Sequence, residues 1–273
     1  MANDVKNSDL IELITKTTPQ RKKSRWPAKL DDLQSLTGLI LVIFLMFHLI
    51  FDSLIIFGND AMYKITKLME LDFIIEGGSG VPVTIMGVTV LVIIAIHAAL
   101  GIRKMPTSYR KYKAINTLSK TMNHLDSRLW ILQVITGFVL FFTVTVHTYM
   151  MLSNPTDIGP YASADRFFSE NMWIFYIVLL VAVVLHAFIG LYRVSIKRGW
   201  FGLSNTTNSK TRTFDKKVSV AKRNNLKKIR NYLIAFYLII GLVSIAVYTY
   251  KGYEHRDNVG ERYNPSSAHL KNI

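Results

Sequence analysis

The chain has 273 residues, half of them hydrophobic, with 33 Lys and Arg against 18 Asp and Glu and no cysteine. The lack of cysteine excludes disulfides, Cys-ligated iron–sulfur clusters and covalent c-type haem, whose attachment needs a C-x-x-C-H run. The net charge of +15 does not point to nucleic acid, because its basic residues cluster before the first apolar run, from Arg103 to Arg128 and from Lys197 to Arg230, while loops 58–80 and 152–172 lean acidic. Basic and acidic loops alternating around apolar runs are an orientation signal, and the positive-inside rule then puts the N-terminus in the cytoplasm and the C-terminus outside.

Five runs, at 36–57, 81–102, 129–150, 173–194 and 231–250, are almost free of charge. Each is long enough to cross a hydrocarbon layer of ~30 Å at ~1.5 Å per residue. The expected fold is all-α, an integral membrane bundle of five transmembrane helices. It divides into a cytoplasmic arm (1–33), the five-helix domain (34–250) and an outer tail (251–273). Trp26, Trp130, Trp173 and Trp200 fall at or near span ends, where amphipathic rings prefer to lie. The polar, charged start predicts no cleavable signal peptide, so the first span inserts by itself.

In chain order, the arm holds a short amphipathic stretch at 10–14 and the basic run RKKSRWPAKL, read as an orientation signal and membrane-surface anchor. The first span, QSLTGLILVIFLMFH, and the third, QVITGFVLFFTVTVH, share Q-x-x-T-G followed by a histidine: Gln34, Thr37, Gly38 and His48 against Gln133, Thr136, Gly137 and His147. The second and fourth spans share His97-Ala98-x-x-Gly101 and His186-Ala187-x-x-Gly190. This is the pattern of a duplicated two-helix unit, with a period far longer than that of solenoid repeats.

Allowing for span direction, His48 and His147 fall in the outer half of the membrane and His97 and His186 in the inner half, roughly 13 Å apart by helical rise. A lone intramembrane histidine is as often an interhelical hydrogen bonder as a ligand. Four histidines in two matched layers instead point to two non-covalent b-type haems surrounded by four of the five helices, each iron held by a histidine pair with no axial position left open. Such a centre passes electrons and does nothing else. Gly101 and Gly190 lie one turn from a histidine, and Gly38 and Gly137 near the height of the inner layer; helix packing explains these glycines equally well.

Haem propionates need cations or donors near the interfaces. The inner candidates are Lys104 and Lys197, with Gln34, Ser35, His124 and Trp130 nearby, and the outer candidate is Arg166. Each of these charges also fits a plain orientation role. The loop GNDAMYKITKLMELDFIIEGGSG predicts a short interfacial helix capped by Asn59 or Asp60, with Met62, Ile65, Leu68 and Met69 facing lipid and Glu70 near its end. An acid there can accept a proton from a quinol, or be an ordinary loop charge. Asp52, four residues after His48, reads as a haem-side partner, a proton acceptor or a snorkelling residue. The basic stretch 197–230 offers a positive cytoplasmic face for an acidic soluble partner. The fifth span has no histidine, and the polar tail carries no signal.

These residues resemble the dihaem cytochrome b subunit of the quinol:fumarate reductases of epsilonproteobacteria, within the wider succinate:quinone oxidoreductase family. The likeness covers nearly the whole chain and is carried by RKKSRWPAKLD, QSLTGL leading to His48, ELDFIIEGG, HAALGIRKMPTSYRKY, TGFVLFF leading to His147, NPTDIGP and GLYRVSIKRGWF. The resemblance implies an inner haem on His97 and His186 and an outer haem on His48 and His147. It also implies Glu70 as the acid that takes the proton from menaquinol, and propionate surroundings at Gln34, Ser35, Lys104, His124, Trp130, Arg166 and Lys197. It further implies a flavoprotein that reduces fumarate and an iron–sulfur subunit, both on the cytoplasmic side of the bacterial inner membrane, in a dimer of heterotrimers. The dicarboxylate chemistry then lies on a partner subunit.

One departure concerns protons. Well-studied members carry a glutamate two residues before the last ligand histidine, and here that position is Val184. Other readings of the sequence are the same role in succinate oxidation, the b subunit of a hydrogenase or nitrate reductase, and, outside redox chemistry, a membrane scaffold or transporter. The last of these would be colourless.

Overall fold

The computed structural model describes residues 24–104, 108–110, 113, 117, 125–200 and 216–265. Seven helices are described: α1 (Trp26–Asp52), α2 (Asn59–Met69), α3 (Gly80–Ile102), α4 (Leu125–Ser153), α5 (Pro160–Phe168), α6 (Trp173–Arg198) and α7 (Lys216–His255), with 3-10 turns at Ser53–Phe57 and Arg256–Asn258. Five are long and apolar enough to cross a membrane, namely α1, α3, α4, α6 and α7.

Local chemistry sets the boundaries. Pro27 in the first turn lets α1 begin at Trp26, well before the apolar run, because a proline there gives up an amide that has no helical partner anyway. The Ser79 side chain caps α3 by accepting from Val81 N at 3.2 Å. Gly199, in the left-handed region at φ 65, ends α6. The fifth span is longer than its apolar run. Part of the basic stretch read as a loop is helical from Lys216 onward, and Leu226 and Arg230 are buried on it.

The loop helix α2 forms where expected, with two differences. Its N-cap is Gly58, at φ 112, and neither Asn59 nor Asp60 makes a side-chain cap bond. Met62 and Ile65 are buried while Leu68 and Met69 are exposed, because α2 packs one face on the turn Ser53–Phe57 and on α5. Helix α5 was not anticipated; it follows Gly159 and opens on Pro160, the same proline start as α1.

The long helices close into a ring. Helix α1 packs along α3 and α6, and α4 packs along the same two helices, so α1 faces α4 across the middle and α3 faces α6. Helix α7 lies outside the ring against α6. Gly241 on α7 allows this approach, since a Cβ there would come 2.6 Å from Leu180 Cδ1. Small residues at helix contacts matter in a membrane, where apolar surfaces gain little by leaving lipid for one another. The tightest packing joins α1, α6 and α7, where Val184, Phe188, Tyr237 and Tyr248 are almost wholly buried. Helix α3 has no fully buried side chain.

Candidate functional site

The four span histidines face one another across the diagonals of the ring. His48 on α1 and His147 on α4 have ring centres 6.1 Å apart, and His97 on α3 and His186 on α6 have ring centres 6.3 Å apart. Each ring is half-buried. Phe44 stacks on His48, and Tyr176 meets His147 edge-on.

The Q-x-x-T-G repeat serves the His97–His186 pair. Thr37 Oγ1 lies 3.1 Å from His97 Nδ1. In the other half of the same pair, His186 Nδ1 lies 3.0 Å from the Gln133 carbonyl oxygen and 3.3 Å from Thr136 Oγ1. An acceptor beside Nδ1 draws the ring proton there and leaves Nε2 with its lone pair, as the hydrogen-bond partners of metal-binding histidines do. The glycine of each repeat makes room for the ring: a Cβ on Gly38 would be 2.9 Å from His97 Cε1, and one on Gly137 3.1 Å from His186 Cε1. Gly101 and Gly190 face the side chains of Gln34 and Gln133. Because Thr37 is level with His97, the climb along α1 to His48 separates the two pairs by roughly 16 Å of helix rise.

These pairs suit haem iron. A metal–imidazole bond of about 2 Å on each side, plus about 1 Å from nitrogen to ring centre, calls for ring centres roughly 6 Å apart, and both pairs meet it. Among the described residues no three His, Cys, Asp or Glu side chains come together as a site for a bare metal ion. A haem iron, already held by its macrocycle, needs only two.

At the Gln34 end of the bundle, Lys197 Nζ approaches the Asp31 carbonyl oxygen at 3.4 Å and Ser35 Oγ at 3.5 Å, and Lys104 Nζ is 3.2 Å from the Asp31 carboxylate. The sequence reading missed the acids that organise this cluster: Asp31 also pairs with Arg103, and Asp32 with Arg198 at 3.0 Å. Gln34 Oε1 is buried without a hydrogen-bond partner, whereas Gln133 Oε1 accepts from Arg193. Trp130 is half-buried early in α4, and His124 lies outside the described residues.

At the opposite end, Glu70 follows directly on α2 and is buried. Lys67 Nζ donates to Glu70 Oε2 and to the Gly77 carbonyl, each at 2.8 Å. The hydrogen bond it donates to the Glu70 carboxylate pushes the Lys67 ammonium above its usual pKa. Gly78, at φ +79, closes over the carboxylate, where a Cβ would come 2.5 Å from Oε2. A cavity of about 130 Å³ opens beside Glu70, with Lys67, Thr66 and Ile158 in its walls. Arg166, buried on α5, donates to the Asp157 carbonyl at 3.0 Å, with the Asp157 carboxylate at 3.6 Å. Asp52 turns into the bundle and accepts from Tyr248 Oη at 3.2 Å, so it does not snorkel. Val184 lies fully buried among apolar and aromatic side chains.

Comparison with known proteins decides the family. Residues 109–222 match the family model described as succinate dehydrogenase/fumarate reductase transmembrane subunit. The fumarate reductase cytochrome b subunit of Wolinella succinogenes is 42% identical over 258 residues, 94% of this chain and 96% of that one. The chain belongs to this cytochrome b family. Fumarate reductase cytochrome b subunits from two strains of Helicobacter pylori are 39% and 37% identical, each over 93% of both chains. Membership makes the chain a multi-pass transmembrane subunit, and its five apolar helices supply the anchor.

Proposed function

We propose that the chain anchors a menaquinol:fumarate oxidoreductase in the bacterial inner membrane and carries electrons across it. The observation that bears the reading is the pair of diagonals: His48 with His147 and His97 with His186, both at the spacing an axially ligated iron requires. When bound, two b-type haems would supply a relay for single electrons across the bilayer.

The chain's own residues do the rest. Thr37, Thr136 and the Gln133 carbonyl orient the His97 and His186 rings. At the same end Lys197, Lys104, Ser35, Gln34 and Trp130 gather cations and donors for propionates, and Arg166 does so at the other. Glu70 borders the cavity that takes the quinol head group, where its carboxylate accepts a proton as quinol is oxidised and Lys67 holds it in place. The basic Gln34 end faces the cytoplasm, with the C-terminus outside. There, exposed charges and the basic start of α7 receive an iron–sulfur subunit that delivers electrons to a flavoprotein, in a dimer of heterotrimers.

The test uses the purified complex and a water-soluble naphthoquinol as donor to fumarate. Glu70→Gln is expected to lower quinol-driven fumarate reduction at least 100-fold, with haem content and reduction driven by a viologen dye retained. Undiminished quinol oxidation in that variant would remove Glu70 from the reading.

A further inference from the structure

The tail after the fifth span folds back over the Glu70 end. His255, the last residue of α7, is buried and pairs through Nδ1 with Asp165 Oδ1 of α5 at 2.8 Å. The other carboxylate oxygen of Asp165 accepts from Gly260 N at 2.9 Å. One buried acid therefore ties the end of the span to the tail that leaves it. The Tyr161 ring stacks on His255 with centres 4.0 Å apart, and Tyr263 packs edge-on against Tyr161 and Tyr63 at 5.2 and 5.8 Å. Tyr263 Oη donates to the Asp60 carboxylate in the first turn of α2, the helix that Glu70 caps.

This path ends at the cavity. Its walls come from three separate segments: Thr66, Lys67 and Glu70 around α2, Ile158 in the loop before α5, and Arg262 and Tyr263 from the tail. A quinol head group is a flat aromatic diol, which needs an aromatic or apolar wall and polar groups at its hydroxyls. It also needs water kept from the reacting oxygen and a fixed orientation toward its base. The tail adds an aromatic ring and a cation, Tyr263 and Arg262, to the cavity that Glu70 lines.

We propose that the tail is part of the quinol site: Tyr263 and Arg262 form its outer wall, and Asp165, clamping His255 to Gly260, holds that wall in place. This rests on the Glu70 reading above. Tyr263 and Arg262 contact the quinol, and Asp165 is a positioning residue. Burial and the Asp60 carboxylate push the Tyr263 phenol up, so it stays protonated and keeps its tether.

The experiment measures KM and kcat of the intact complex for the same water-soluble naphthoquinol, with haem content and viologen-driven fumarate reduction reporting on assembly. Tyr263→Ala is expected to raise KM at least fivefold with kcat within twofold of wild type, and Tyr263→Phe, which keeps the ring, to recover most of that loss. Asp165→Ala is expected to raise KM in the same way, with partial rescue by Asp165→Asn. If Asp165→Ala fails to assemble, the two Tyr263 variants decide the matter. If Glu70→Gln abolishes quinol oxidation while Tyr263→Ala leaves KM within twofold, the tail lies outside the site and this inference falls alone. If Glu70→Gln leaves quinol oxidation intact, the Glu70 reading falls and takes the inference with it.

Discussion

Thr37 and Thr136 show how little chemistry separates a packing residue from one that sets a ligand. Each hydroxyl already bonds to the carbonyls of its own helix, and each also reaches a histidine across the bundle. Thr136→Val should cost about 1 kcal/mol, the net worth of one hydrogen bond, because the Gln133 carbonyl still holds His186. A modest fall in the temperature of haem loss is the expected readout. Gly38→Ala should do more. Its Cβ would press on His97 Cε1 at 2.9 Å, whereas Gly137→Ala leaves 3.1 Å to His186 Cε1. Haem content falling by one per chain in Gly38→Ala, and less in Gly137→Ala, is what that difference requires. The threonine and glycine were visible in the sequence because two copies of Q-x-x-T-G stand in register with two histidines. Their role was not, since a repeat shows which residues recur and not which ring on another helix they touch. The Asp165–His255 pair, by contrast, joins residues on different helices with no spacing to betray them.

The five spans were legible from hydropathy because lipid demands an unbroken apolar run of fixed length. What surrounds them was not. Helix α5 is only nine residues long and begins at a proline, so length did not mark it. Helix α7 extends past its apolar run at both ends, because a helix leaving the membrane needs only soluble, helix-compatible residues to continue. The contact between these two elements gives a prediction. A Cβ on Gly252 would lie 2.6 Å from Phe168 Cβ and closer still to the Ala164 carbonyl oxygen, neither of which is the free end of a side chain. Gly252→Ala should therefore part α5 from α7 at a cost of about 1–3 kcal/mol, the range for overpacking. A lower thermal midpoint of the complex and faster proteolysis of the outer tail would show it. Gly241→Ala meets the movable end of Leu180 and should cost less.

For the whole molecule, charge movement follows from where acids are missing. In the proposed function, electrons leave quinol at the Glu70 end and exit at the Gln34 end. Between Thr37 and Asp52 on α1, and along α3 and α6, no carboxylate occurs, and Val184 stands where well-studied relatives resembled by this sequence place a glutamate. Asp52 lies at the Glu70 end, bonded to Tyr248, and so does not bridge the two faces. Proteoliposomes turning over naphthoquinol and fumarate are therefore expected to build a membrane potential that a protonophore collapses. Electroneutral turnover would mean that protons cross by a route other than these helices. All of this depends on two histidine pairs each holding an iron. The most direct check is the haem content of the purified complex by pyridine haemochrome, with His48→Ala and His97→Ala beside the wild type. Two b haems per chain in the wild type and one in each variant are expected; a single haem in the wild type, or two retained in either variant, would contradict the diagonal assignment.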